Sequence, residues 1–262
     1  MGKAARLKRA RGAVPPPPRS GAPPNRTVLW FSAAGPVLLV VVLVFVFLGM
    51  HKSAKVPPPA PLTAADRNAP AALVAAANAV NFKPTTEAGV GALENEPASV
   101  AKASTNPYLL PVGATAPGFT LKTPQGSPVG LASLRGKAVL LEFFATWCPH
   151  CNAESPHLRQ LYASLPKSRY AFVSVVADSE TAPSVFAFHR YYGLAYPALL
   201  DPSSQPGSYS HPGGEGAVSR TYGVVAFPTF YVLDRRGRIV WRSDGEQPDA
   251  LLRQELQRAA RA

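Results

Sequence analysis

Cysteine is nearly missing from this chain. There are two in 262 residues, Cys148 and Cys151, and that scarcity removes several classes of protein. A domain stapled by several disulfides needs four or more cysteines. A zinc ribbon needs a second C-x-x-C or an H-x-x-H pair, and the sequence has neither. Acidic residues are absent from positions 1–55, which carry nine Lys/Arg; the other 207 positions hold 18 basic and 15 acidic residues. The formal charge of +12 therefore belongs to a tail and not to a folded face, which argues against nucleic acid as a partner. Long core-forming stretches are few as well. With 29 prolines and extended Ala/Pro tracts, the composition describes one modest domain with accessories.

The one long apolar run is Val28 to Leu48, 21 residues without an ionisable side chain. At ~1.5 Å per residue such a helix spans roughly 30 Å, the hydrocarbon thickness of a bilayer. Lys3, Arg6, Lys8, Arg9, Arg11, Arg19 and Arg26 precede it, and Trp30 and Phe31 stand at its start. A Lys/Arg excess holds that end in the cytoplasm, so the rest of the chain is expected outside. A cleaved signal peptide is the alternative, but "GMHKSAKV" after the run offers a poor cleavage site and Lys52 and Lys55 look like flanking anchors. The expected organisation is a basic cytoplasmic tail (1–26), a transmembrane helix (27–49), an Ala/Pro-rich linker (50–111) and a folded domain (112–262) at the outer face of the cell membrane.

The linker is too poor in large apolar residues to offset chain entropy and reads as a tether, with "PAALVAAANAV" a locally helical piece of it. After Val112 the pattern changes. Lys137–Ala145 is a nearly continuous apolar run of strand length, and Tyr170–Asp178 is another. Between them Leu158, Leu161 and Leu165 recur at helical spacing. Thr181–Gly193 reads as a helix with Thr181 as N-cap and Gly193 as its stop. A Ser/Gly/Pro-rich loop from Pro202 to about Gly216 precedes a short helical stretch. Strands at Pro228–Asp234 and "IVWRSDG", joined by "RRGR", come next, and a helix over Pro248–Ala260 ends the chain. This order predicts an α/β fold, a central mixed sheet with helices on both faces.

The strand over Lys137–Ala145 runs directly into Trp147-Cys148-Pro149-His150-Cys151 at a helix start, the arrangement of a thioredoxin-type redox motif. The first N–H groups of a helix have no partner within it, and its dipole is positive there. A thiolate at Cys148 is stabilised by both, and a cysteine so placed can fall from about 8.5 to roughly 3.5–7.5 in pKa. Cys151, one turn further in, is placed to attack a mixed disulfide on Cys148. A bridge closing so small a loop would add little stability, which favours chemistry over stapling.

From about Val112 onward the chain resembles the membrane-tethered thiol-disulfide oxidoreductases of the TlpA/ResA family. The likeness rests on "VGATAPGFTLKTPQGSPVGLASLRGKAVLLEFFATWCPHC", on Pro156 inside the active-site helix, and on "VVAFPTFYVLDRRGRI". It implies a thioredoxin-like fold, exchange with protein thiols and disulfides, and a membrane or extracytoplasmic partner that resets the dithiol. Cytochrome c biogenesis and secreted-protein reduction are the implied uses. It needs no cofactor beyond the redox-active Cys148–Cys151 pair and no metal. It also places Pro228 in cis opposite the dithiol, leaves the Phe227 backbone free to pair with a substrate, and sets Trp147 and Pro149 beside it.

Two residues carry the finer expectations. Glu142 stands six positions before Cys148, where thioredoxins keep a buried Asp; an acid amid "LLEFF" should have a raised pKa and is a candidate to take the Cys151 proton. The imidazole of His150 is expected to donate to the Cys148 thiolate, which would make the disulfide more oxidising. The Pro-His pair matches DsbA-type oxidants while the surrounding domain matches reductases, so a disulfide-forming oxidant is the alternative. From another class, a metal site could use Cys148, Cys151, His150 and His157, but these lie on one helix turn and face different directions. A copper chaperone of the Sco type would want C-x-x-x-C, and a peroxiredoxin a Pro and a Thr/Ser before its cysteine where Ala145 and Leu141 stand. His211 and its loop are candidates for partner recognition, with a solvated loop the simpler reading.

Overall fold

The computed structural model describes residues 60–61, 63–87, 90–91, 96–100, 104–176, 180–201 and 216–262. The basic tail, the apolar run 28–48 and the loop 202–215 with His211 lie outside the described residues. Among the described residues no helix is long and apolar enough to cross a membrane. The elements in chain order begin with two helices, α1 (Ala64–Arg67) and α2 (Ala71–Val80), and a hairpin of β1 (Thr120–Lys122) and β2 (Pro128–Gly130). Next come β3 (Ala138–Phe144), α3 (Pro149–Ser164), β4 (Tyr170–Val176), α4 (Ala182–Tyr192), β5 (Ala198–Leu200) and α5 (Ala217–Thr221). The last three are β6 (Thr229–Leu233), β7 (Ile239–Asp244) and α6 (Asp249–Ala259).

The strands form one mixed sheet in the order β2-β1-β5-β4-β3-β6-β7. β3 lies inside it, next to the central strand β4, parallel to β4 and antiparallel to β6. Every residue of β3 and β4 is buried, as continuous apolar runs require when both faces of a strand are covered. Side chains alternate along β3. Leu140 and Phe144 enter the layer that holds Leu158, Leu161 and Leu252, whereas Val139, Leu141 and Phe143 enter the opposite one with Tyr222 and Tyr231. The alternation puts Glu142 on the face shared by Leu140, Phe144 and both cysteines.

Local signals set the helix ends. The Thr181 hydroxyl accepts from Ser184 N–H, and Gly193 closes α4 in the left-handed region at φ 65°. Leu158 and Leu161 pack inside α3, while Leu165 is its C-cap.

The described part of the linker does not stand off as a free tether, so the boundary expected at residue 112 is displaced toward the N-terminus. α2 packs on α4, with Ala77, Phe186 and Ala187 buried together and Leu73, Val74 and Phe82 against them. Alanine presents little apolar area, yet its small size lets two helices approach closely enough for Phe82 to reach the α4 aromatics. The Phe82 ring meets Phe188 and Tyr191 edge-on at 5.4 Å each, and Tyr192 at 6.2 Å. Further along, Leu109 is buried, Leu110 N–H donates to the Tyr231 hydroxyl at 3.0 Å, and Arg242 donates to the Leu109 carbonyl. Gly223 makes this passage possible: at φ 69° a Cβ there would stand 1.8 Å from the Tyr108 carbonyl oxygen.

Candidate active site

β3 ends at Phe144, and four residues later Cys148 is the N-cap of α3, followed by Pro149 in the first turn, where its missing N–H costs nothing. Both cysteines are free thiols. The Cys148 sulfur accepts from Cys151 N–H at 3.3 Å and faces the Phe227 carbonyl at 3.6 Å, where the reduced thiol donates. The Phe227–Pro228 peptide is cis. Cys148 is 4% exposed and Cys151 fully buried.

That placement splits the two thiols. The Cys148 pKa falls below the ordinary thiol value, first because the Cys151 side chain hydrogen-bonds to its sulfur, with the backbone N–H groups of Cys151 and His150 adding to this against the opposing effects of burial and Glu142. Burial, with Cys148 beside it, pushes Cys151 well up. The outer thiol is thus the easier to ionise and the inner one holds its proton, the asymmetry an attacking and a resolving cysteine need.

Trp147 and Phe227 form the apolar lip, ring centroids 6.0 Å apart, with Trp147 42% and Val225 41% exposed. Pro149 is half-buried beside Cys148 and Pro228 is buried. Glu142 is buried and accepts from the Ser174 hydroxyl; burial pushes its pKa up to about 7, the hydrogen bond acting the other way. His150 differs from expectation. Its backbone N–H serves Cys148, but its half-exposed imidazole is turned to Glu246, Nδ1 to Oε1 2.5 Å. The ring is not bonded to the sulfur.

Three polar residues at the site were missed by sequence reasoning. Asn152 Nδ2 donates to the carbonyls of Thr146 at 2.9 Å and Cys148 at 2.7 Å, and its Oδ1 accepts from the Tyr192 hydroxyl at 2.7 Å and Thr85 N–H at 3.3 Å. It locks the strand end to the helix start. Glu154 is buried, with Oε2 accepting from Gln247 N–H at 3.3 Å and Oε1 without a hydrogen-bond partner, and burial holds its pKa well above the carboxylate range. Their offsets, four after Cys148 and three after Cys151, are same-face spacings on a helix and were the available signal. Glu246, at the end of β7, had none: its link to His150 spans 96 positions. His157 of the rejected metal set approaches Asp249 at 3.9 Å, and among the described residues no three His, Cys, Asp or Glu side chains converge as metal ligands.

Known proteins share this arrangement. Residues 112–242 match the AhpC/TSA family. Thiol-disulfide oxidoreductase ResA of Bacillus thuringiensis subsp. konkukian is 31% identical over 147 residues, 56% of this chain and 78% of that protein. Thioredoxin-like protein YneN of Bacillus subtilis is 34% identical over 130 residues, 48% of this chain and 68% of its own length. A solved structure from Chlorobium tepidum, provisionally named thiol:disulfide interchange protein DsbE, superposes with a TM-score of 0.50 at 27% identity, covering 58% of this chain and 99% of that one. With its thioredoxin-like sheet and its paired thiols at a helix N-terminus, the chain belongs to the AhpC/TSA family as a thiol-disulfide oxidoreductase of the ResA type.

Proposed function

We propose that this oxidoreductase works as a reductant of protein disulfides outside the cytoplasm, held at the membrane by residues 27–49, with secreted proteins as substrates and apocytochrome c the first to test. The observation that carries the reading is the split between the two thiols, an ionisable Cys148 at the helix end and a proton-holding Cys151 beneath it. The Cys148 thiolate attacks one sulfur of a substrate disulfide; that S–S bond breaks, a mixed disulfide forms, and the other substrate sulfur leaves as a thiolate that takes up a proton. Cys151 then loses its proton and attacks the Cys148 sulfur, releasing the second substrate thiol and leaving the Cys148–Cys151 disulfide. Two electrons have passed to the substrate, and an extracytoplasmic or membrane dithiol partner must return them. No bound organic cofactor enters this sequence. Trp147, Pro149, Phe227 and Pro228 supply the surface on which an extended substrate segment lies, the Phe227 carbonyl standing 3.6 Å from the reacting sulfur.

Direction is supported by His150. A ring bonded to the sulfur would stabilise the thiolate and favour an oxidant; this ring is bonded to a carboxylate. The run 28–48 and the basic tail ahead of it support the membrane reading. The test is the equilibrium of the full-length chain with glutathione. A potential well below the glutathione couple is expected, and one well above it makes the chain an oxidant.

A further inference from the structure

Glu246 sits between the dithiol and the segment leading into the domain. One of its oxygens takes His150 Nδ1 at 2.5 Å and the other takes Gly91 N–H at 2.8 Å. Its side chain is only 9% exposed, whereas that of His150 is 48% exposed. Both carboxylate oxygens are therefore engaged, one by the residue between the two cysteines and one by a backbone amide 155 positions earlier. The same incoming segment touches the active-site helix again through Thr85 N–H on Asn152 and anchors itself with Phe82 on α4. A carboxylate held at two points cannot swing away, and a ring bonded to it at charge-assisted distance has its donor occupied.

We propose that Glu246 is a positioning residue that keeps the His150 imidazole off the Cys148 sulfur, with the Gly91 amide fixing the carboxylate, and so holds the dithiol couple toward its reducing side. This rests on the thiol-exchange reading above and explains how a Pro-His pair operates in a reductant. His150 contributes its backbone N–H to Cys148 in either case, because that group is fixed by the helix start. The side chain is the variable part. Replacing the carboxylate with an amide leaves the ring only a neutral oxygen to donate to, a weaker partner that lets it turn toward the sulfur, and removes a negative charge from the neighbourhood of a thiolate. Both changes stabilise the reduced form, and both move the potential upward. Gly91 takes φ 80° where its N–H meets this carboxylate.

The test uses the full-length chain in detergent micelles, equilibrated with glutathione, in four forms: the unaltered chain, Glu246→Gln, His150→Ala and the double variant. Glu246→Gln is expected to shift the equilibrium constant about tenfold toward the oxidant, about 30 mV. Most of the shift should be lost when His150 is alanine, because only the removed charge then remains to act on the thiolate. In the unaltered chain, the imidazole nitrogen resonances should show His150 protonated at Nδ1 and hydrogen-bonded, a readout that needs no variant to fold. An unchanged potential in Glu246→Gln overturns the proposal, as does a shift that persists in full without His150 or a ring that carries its proton on Nε2 alone. Failure of the unaltered chain to equilibrate with glutathione at all would instead remove the thiol-exchange reading itself.

Discussion

Glu142→Gln isolates one charge. Glutamine keeps the volume of the side chain and an oxygen to accept the Ser174 hydroxyl, so the core around Leu140 and Phe144 is undisturbed. In the folded chain burial raises the Glu142 pKa from 4.5 to about 7. Below pH 4.5 the carboxyl is protonated folded or unfolded, and it contributes no difference. Between 4.5 and about 7 the unfolded chain ionises while the folded one does not, so stability falls as pH rises, and above about 7 the whole penalty is in force. That penalty is about 3 kcal/mol. Urea unfolding of the reduced proteins between pH 4 and 8 should find the two chains equally stable at pH 4 and the variant ahead by about 3 kcal/mol at pH 8. The His189 pKa, lowered to about 3 by burial, is common to both chains and cancels in the difference, whereas Glu154, raised mainly by burial and in part by the Glu142 charge, cancels only in its burial part. Resolution of a mixed disulfide, followed by stopped flow, should at the same time slow by about 100-fold in the variant, the usual worth of a positioned general base. A stability difference that stays flat from pH 4 to 8 would refute the buried-acid argument. An unchanged pH profile of resolution would refute the proton-transfer role on its own.

Cys151→Ser should trap substrate on Cys148 as a stable mixed disulfide detected on non-reducing gels, and Cys148→Ser should give no adduct; adducts in the second variant would reverse the assignment of attacker and resolver. Iodoacetamide should label Cys148 with a pH midpoint below that of an ordinary thiol and leave Cys151 nearly untouched, as read by peptide mass mapping; equal labelling would contradict the burial difference between them. Gly223→Ala places a methyl group on the Tyr108 carbonyl at a positive φ and should cost more than about 1 kcal/mol while exposing residues 104–111 to protease; an unaltered digest would show that the segment is not seated there.

Much of the sheet was legible because its strands obey a two-residue alternation or a continuous apolar run, and because the Thr181 hydroxyl and the backbone freedom of Gly193 announce helix ends locally. The boundaries of β3, β4 and α6 fall within one or two residues of expectation for the same reason. Glu142 could be read as buried from "LLEFF" alone. The linker could not be read this way. An alanine-rich stretch looks unable to form a core when its area is counted in isolation, and only the aromatic face of α4 reveals that small residues are what that contact needs. Glu246 was illegible for a related reason, and the helical spacing of Glu154 announced its face but not its partner. A buried or half-buried carboxylate is defined by partners, and theirs lie on segments far away in sequence. His150 was placed correctly in the chain and wrongly in space, because the side chain's orientation depends on a carboxylate that no local pattern announces.

Two acids at the site divide its requirements. A thiol that attacks must ionise readily, and Cys148 does so with donors supplied by the helix start and the neighbouring thiol. A thiol that resolves must give up a proton it holds strongly, and Cys151, buried with no exposed surface, cannot deliver that proton to water directly. The base that helps it should be half ionised at working pH, since a stronger acid would not accept the proton and a weaker one would already hold it. Burial gives Glu142 that value, and the alternation of β3 puts it on the cysteine face. An acid with so raised a pKa cannot also serve as a fixed negative charge, because near neutrality it is protonated about half the time. The hold on the His150 ring comes from a different carboxylate, Glu246, whose two oxygens are both engaged. Burial depth thus fits the inner acid to proton transfer, which Glu142→Gln tests, and the outer one to the proposed redox balance, which Glu246→Gln tests. The first role is open to pH, because it should fade as Glu142 protonates.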